Sequence, residues 1–439
     1  FGTTEAREAV AAAKEALPAW SARTASDRSN LLRKWFNLMI EHREDLAFIL
    51  TSEQGKPLSE ALTEIDYAAS FIEFFAEEGK RVYGETIPSH RADARIVTIR
   101  QPLGVIAAIT PWNFPAAMIT RKLGPALAVG CTAVCKPATE TPLTAFALAE
   151  LAERAGIPAG VINVITGKSS EIGEEWTSNP DVRGISFTGS TEVGKILMKQ
   201  SADTVKKVSM ELGGNAPLIV FDDADLDAAV EGTIVSKYRN MGQTCVCSNR
   251  IYVQDGVYDE YCEKLVTAVQ KLTVGDGLSD GITQGPLINP AAVEKSEEHI
   301  ADAVSKGAEI IEGGGRHALG GTFFEPTVLK NVTTDMIVTK EETFGPVAPV
   351  YRFSDDAAVI ELANATEFGL ASYFFSRDIG RIWRVAEALE YGIVGVNTGL
   401  ISTALAPFGG VKESGIGREG SSHGLDEYVE IKYILMAGI

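Results

Sequence analysis

Cys245 is the residue with the clearest capacity for covalent chemistry in this chain. It lies in Gly242-Gln243-Thr244-Cys245-Val246-Cys247, a polar stretch that follows a helical pattern. A cysteine is most often a small buried hydrophobe. A loop, however, gives a thiolate the partial exposure and neighbouring donors that nucleophilic attack requires. Both readings fit the residues taken alone. Glu211, in Glu211-Leu212-Gly213-Gly214-Asn215, places an acid before two glycines at a strand-to-loop junction, where a solvated surface carboxylate is the plain reading. Glu342, in the turn Glu341-Glu342-Thr343-Phe344-Gly345-Pro346, again puts a carboxylate where solvation explains it. Asn113 is held between Pro111 and Pro115 at the end of a buried strand. Such stiffness suits a fixed hydrogen-bond donor, although a plain turn explains the prolines equally well. Gly189-Ser190-Thr191-Glu192-Val193-Gly194 follows a strand and opens a helix, where backbone N–H groups can meet a pyrophosphate. Thr191 replaces the middle glycine of the usual fingerprint, so an ordinary turn remains open there.

Other chemistries find no support. Gly167-Lys168-Ser169 resembles the end of a phosphate loop, but Ile162 occupies the upstream glycine position. There is no G-x-S-x-G elbow. The five histidines are scattered, and Cys245-Val246-Cys247 has no second cysteine pair, so no metal site is expected.

These residues need a scaffold, and the sequence describes one. Over the first eighty residues Leu31, Leu32, Trp35, Leu38 and Met39 recur at helical spacing, as do Leu62, Ile65, Ala69, Ile72 and Phe75. Asp27 is the expected cap of the first run. From about residue 96 short apolar runs at 105–109, 132–135, 161–165, 184–187 and 217–220 alternate with helical patterns at 115–129, 142–154, 169–178 and 192–200. That alternation predicts a parallel sheet covered by helices. A second α/β series follows: a helix from 225, a strand at 250–253, helices at 258–272 and 291–306, and a strand at 308–311. Segments 88–104 and 423–438 break the rhythm and read as strands outside the main sheets.

The 439 residues suit two or three domains. A 45% hydrophobic, 23% charged composition is that of a folded globular protein and argues against disorder. Net charge -19 disfavours nucleic acid and anionic membranes, whose phosphates it would repel. Five cysteines form no even disulfide framework, which points to a reducing compartment, the cytoplasm. The longest apolar run, 123–135, is too short to span a bilayer. Phe1 is not a natural start, so a preceding segment is expected.

Taken in order, TPWNFP (110–115), KPATETP (136–142), FTGSTEVG (187–194), MELGGNAP (210–217), GQTC (242–245), EETFGP (341–346) and PFGGVKESGIGREG (407–420) resemble the aldehyde dehydrogenase superfamily over essentially the whole chain. AAMITRKLGPALAVGC (116–131) and YRNMGQTCVCSNRIYVQDGVYD (238–259) are similar to its bacterial succinate-semialdehyde dehydrogenase branch. The resemblance implies an α/β fold with two Rossmann-like parallel-sheet domains and a small β oligomerisation arm. Residues 1–87 and 105–211 would bind cofactor, 212–411 would carry catalysis, and 88–104 with 422–439 would bridge subunits of a homodimer or homotetramer.

It further implies Cys245 as nucleophile, Asn113 with the Cys245 backbone N–H as oxyanion donors, and Glu211 as general base. Trp112, Lys136, Gly189, Ser190, Leu212, Glu342 and Phe344 match cofactor-contacting positions. Thr139 stands where NAD-preferring relatives often carry glutamate, which favours NADP, with NAD as the alternative. Arg121 and Arg239 match the arginines, and Ser402 the hydroxyl, that receive a substrate carboxylate, although surface ion pairs would also account for the arginines. Cys247 is a redox-switch candidate, able to pair with Cys245, or a packing residue. The expected reaction is oxidation of succinate semialdehyde, with glutarate semialdehyde or a broader aldehyde range as the alternative.

Overall fold

The computed structural model describes residues 1–439. Helices Thr3–Ser21, Ala25–Glu41, Arg43–Gln54 and Leu58–Glu78 open the chain. Their apolar stripes become core: Leu32, Trp35, Met39, Ile65, Ala69, Ile72 and Phe75 are all fully buried. One expectation fails. The cap of the second helix is Thr24, not Asp27. Thr24 Oγ1 accepts the Asp27 N–H at 3.1 Å and donates to the Asp27 carboxylate at 2.8 Å. Asp27 therefore sits inside the first turn, where the helix dipole favours its charge.

The alternating segment forms a six-stranded sheet in the order Gly415–Ile416, Lys207–Glu211, Val182–Thr188, Val105–Ile109, Thr132–Lys136, Ile162–Val164. All neighbours are parallel except the short Gly415–Ile416 strand. Helices Ala117–Val129, Leu143–Arg154, Ser169–Ser178 and Thr191–Ser201 connect its strands.

A second sheet of seven strands runs Glu309–Glu312, Thr327–Lys330, Val347–Phe353, Ser248–Gln254, Ala216–Val220, Ala371–Phe375, Ile393–Val396, with only the first pairing antiparallel. The helix expected to reach residue 272 stops at Val269. Between Gly313-Gly314-Gly315 and the tail at 423 the sequence reading assigns no elements, yet four of these strands lie there. Val347–Phe353 and Ala371–Phe375 are buried on both faces, so neither shows the alternation that marks a half-exposed strand.

Thr86–Ile87, Ala94–Pro102 and Val429–Ala437 make a separate antiparallel sheet. The tail is thus a strand only from Val429; Ser422–Tyr428 is a 3-10 turn. No helix is long and apolar enough to cross a membrane.

This topology collects functional loops at one place. Asn113 follows the strand Val105–Ile109, Gly189 follows Val182–Thr188, and Glu211 ends Lys207–Glu211. All three leave carboxyl ends of adjacent parallel strands, the ordinary location of an α/β site. Cys245 meets them from the loop between helix Leu226–Tyr238 and strand Ser248–Gln254.

Candidate active site

A cavity of about 230 Å³ brings together Trp112, Asn113, Gly189, Ser190, Leu212, Cys245, Glu342 and Phe344. A second cavity, of about 480 Å³, is lined by Arg239 and Ser402 together with Tyr67, Glu60, Glu64 and Phe114. Asn113 borders the first and Phe114 the second, so one short turn separates them.

Cys245 is half-buried and free. Burial, reinforced by Glu342 and partly offset by Arg121, pushes its thiol up to about 12. Cys247 is fully buried and free, and its S–H points to the Lys237 carbonyl at 3.7 Å. Asn113 is 4% exposed. Its Nδ2 donates to the Gln243 carbonyl at 3.0 Å, and its Oδ1 accepts the Phe114 N–H at 3.1 Å. One amide hydrogen is left over for the cavity.

Glu211 is 3% exposed, and neither carboxylate oxygen has a hydrogen-bond partner. Burial and the nearby Glu419 raise its carboxyl well above the ordinary range, against the pull of Arg121 and Lys122. An unpartnered buried carboxyl is costly. It is also free to exchange a proton.

Arg121 is buried and lines neither cavity. Its Nε lies 2.5 Å from Glu419 and its guanidinium stacks 4.1 Å from the Phe408 ring centre. Lys122 Nζ donates to the other Glu419 oxygen at 2.6 Å. Burial alone would raise Glu419, but these two cations outweigh it and hold its carboxyl below the usual value. Glu419 and Lys122 escaped the sequence reading. Their signal was present: two adjacent basic residues inside an apolar helix need an anionic partner when that helix is buried on every side.

Tyr67 was also missed. The residue lines the larger cavity, its hydroxyl is buried and unpartnered, and burial raises its pKa against the pull of Arg121 and Arg239.

The walls of the smaller cavity suit a dinucleotide. Gly189 packs so closely that an added Cβ would stand 2.4 Å from Phe187 Cζ. Ser190 caps the helix Thr191–Ser201, its Oγ accepting the Val193 N–H at 3.4 Å. Thr188 Oγ1 is buried without a partner. Opposite stands Glu342, whose Oε1 accepts the Gly214 N–H at 3.2 Å and whose carboxyl burial raises to about 7. Phe344 has φ 53° and meets Trp112 edge-to-face at 5.5 Å. Lys136 and Thr139 lie outside this cavity. Lys136 is buried, with Nζ donating to Pro137 O at 3.2 Å. Thr139 is exposed in a separate surface depression beside Gly167 and Lys168.

The loop carrying Glu342 rests on the helix Pro290–Ser305. His299 Nδ1 faces Thr343 Oγ1 at 3.0 Å, Asp302 accepts the Ile337 N–H at 2.7 Å, and a Cβ on Gly345 would stand 2.5 Å from Ser296 Oγ. Burial lowers His299 to about 4, so it is neutral at physiological pH.

The aldehyde dehydrogenase family model matches residues 1–434. A glutarate-semialdehyde dehydrogenase of Pseudomonas aeruginosa is 65% identical over 439 residues, covering 100% of this chain and 91% of its own. The succinate-semialdehyde dehydrogenase [NADP(+)] GabD of Escherichia coli is 65% identical over 434 residues, covering 99% and 90%. A crystal structure described as an E. coli NADP dependent enzyme superposes with a TM-score of 0.99 at 65% identity, covering 99% of this chain and 91% of that one.

Proposed function

The chain belongs to the aldehyde dehydrogenase family, and on that premise we propose that it oxidises succinate semialdehyde to succinate with NADP. One observation carries the reading: Asn113 and Cys245 border a cavity walled by Gly189, Ser190 and Glu342 on one side, and Phe114 and the cation Arg239 border a larger cavity on the other. The aldehyde enters from the Arg239 side, where the guanidinium and the Ser402 hydroxyl receive its carboxylate. Cys245 Sγ attacks the carbonyl carbon as a thiolate. The oxygen that becomes an alkoxide is held by the free Asn113 amide hydrogen and the Cys245 N–H, a term worth about 3–4 kcal/mol per donor. Gly189, Ser190 and Glu342 would hold the nicotinamide end of the cofactor, which would supply the acceptor for the aldehyde hydrogen as hydride. Cys245 then carries a thioester. Glu211 takes a proton from water, the hydroxide adds to the acyl carbon, and the C–S bond breaks to release the acid and the thiolate.

Glutarate semialdehyde is the second reading, supported by the roomy 480 Å³ cavity and by the Pseudomonas relative named for that substrate. One methylene is worth about 1–3 kcal/mol of discrimination. Appearance of reduced nicotinamide with each semialdehyde in turn ranks the two, and no reduction with either rejects the proposal.

Arg239→Ala tests the carboxylate contact. Losing a charge-assisted hydrogen bond costs about 1.5–3 kcal/mol, so KM for the semialdehyde should rise about 10-fold to 100-fold. KM for an uncharged aldehyde of equal length should hardly move. Equal losses for both aldehydes would remove Arg239 from the substrate site.

In the same reading Lys136 and Thr139 receive the adenosine ribose, and Thr139 leaves room for a 2′-phosphate. Thr139→Glu sets a carboxylate against that phosphate and should weaken NADP by about 10-fold or more while sparing NAD. Direct binding titrations of the two cofactors decide it.

Segments 1–87 and 105–211 form the cofactor domain of this proposal, and 212–411 the catalytic one. Segments 88–104 and 422–439 pair with further copies in a dimer or tetramer. Exposed Ile431, Tyr433 and Met436 on the small sheet support that arm. Five free cysteines support a reducing compartment such as the cytoplasm.

A further inference from the structure

We infer that the ion pair Lys56–Glu64 is a positioning device that fixes the turn bearing Asn113, so that rapid hydride transfer depends on two residues remote in sequence from the catalytic loops. Both side chains are almost wholly buried, at 0% and 1% exposure, and joined at 2.6 Å. Taking two charges out of water is expensive, and replacing such a pair by apolar residues is often neutral or stabilising. Stability alone is therefore a weak account of it.

The hydrogen bonds of the pair tell more. Lys56 Nζ donates to the Asn113 carbonyl at 2.7 Å. Glu64 Oε1 accepts the N–H groups of Ala116 and Ala117 at 2.9 and 3.3 Å, while Oε2 takes the ammonium. Apart from each other, every hydrogen bond made by the two side chains goes to the segment 113–117. The helix Ala117–Val129 has no capping side chain of its own, so Glu64 supplies its N-terminal acceptor from another helix. The Asn113 carbonyl is one anchor and the Ala116 and Ala117 amides are the other, so the turn that begins at Asn113 is held at both ends.

The device extends to the nucleophile loop. Asn240 Nδ2 also donates to the Asn113 carbonyl, at 3.0 Å, and its Oδ1 accepts from Gln54 Nε2 at 3.0 Å. Gln54 Oε1 in turn accepts the Lys56 N–H at 2.9 Å. Asn240 and Met241 have positive φ, 52° and 58°, a conformation that non-glycine residues hold only when their surroundings impose it. Lys56 also packs 3.9 Å from the Phe114 ring centre, and Arg239 packs 5.1 Å from the same ring. Oxyanion donor and nucleophile loop thus share one buried polar network, and the substrate cation packs on the Phe114 ring beside it. An amide displaced by a fraction of an ångström stabilises a developing alkoxide less while binding of cofactor is untouched.

The inference rests on the proposed dehydrogenase reading, and the two fail separately. Unsubstituted enzyme that reduces no nicotinamide rejects the reading; the inference is judged on variant-to-wild-type ratios alone. Lys56→Met, Lys56→Arg and Glu64→Gln are compared by single-turnover hydride transfer, NADP binding and melting temperature. Lys56→Met should slow hydride transfer about 10-fold to 100-fold, short of the loss from deleting an oxyanion donor. NADP affinity should stay within about twofold of wild type, and Lys56→Arg, which can still donate to the Asn113 carbonyl, should recover most of the rate. Glu64→Gln turns an amide hydrogen toward the ammonium and should show the same split; it serves if Lys56→Met does not fold. Hydride transfer at the wild-type rate in a folded variant overturns the inference. So do parallel losses of hydride transfer and NADP affinity, which would mark the pair as merely structural.

Discussion

Replacing Cys245 with alanine should abolish aldehyde oxidation, reducing turnover by about 10⁵-fold or more, because no other group on the chain can form the covalent intermediate. Asn113 donates and Glu211 accepts a proton, but neither can carry the acyl group. NADP binding should survive, since the thiol is one wall of a cavity otherwise built from Gly189, Ser190, Leu212 and Glu342. The substitution removes a single sulfur from a half-buried position and should leave melting nearly unchanged. Wild type offers a companion test. With the thiol raised to about 12, alkylation of the free enzyme should be slow near neutrality and quicken about tenfold per pH unit as the thiolate fraction grows. A Cys245→Ala enzyme that oxidises the semialdehyde at a measurable fraction of the wild-type rate would falsify the mechanism.

Glu211→Gln should separate the two halves of the reaction. Acylation needs the sulfur and the oxyanion donors, so a first rapid release of reduced nicotinamide, one equivalent per site, should remain. Hydrolysis of the thioester needs the base, and steady-state turnover should fall about 10²-fold to 10⁴-fold. The stalled acyl-enzyme should be visible by mass on the peptide containing Cys245. Stability should move the opposite way. The folded carboxyl lies well above its ordinary 4.5, so between that value and the folded one the native state keeps a proton the unfolded chain releases. Stability is therefore lost as pH rises through this window, and a neutral glutamine removes the loss. A melting temperature equal to or above wild type at neutral pH, with turnover nearly gone, is the expected pairing. Loss of the initial burst would show instead that Glu211 serves acylation.

Much of this was legible in the sequence because each signal is local. The strand-helix alternation from residue 96, the stiff Pro111–Pro115 turn and the glycine-bearing turn at 189 are properties of short segments, and the motif order points to the family. The cap of the second helix went astray because Thr24 and Asp27 both satisfy the local rule and differ only in which backbone N–H comes within reach. The doubly buried strands at 347–353 and 371–375 were missed because full burial erases the two-residue period.

The residue types and their patterning alone determined that a thiol stands in a loop after a helix, and a carboxyl and an amide at the ends of strands. They could not say which charges those groups would meet. Lys122, Glu419, Lys56 and Glu64 are unremarkable in the chain, where Lys122 lies 297 positions from Glu419 and Lys56 lies 57 from Asn113. Packing brought them together and excluded water, and only then did burial raise Glu211 and Cys245 while neighbouring cations pulled back. Electrostatic energy depends on distance and dielectric, neither of which is a property of sequence position.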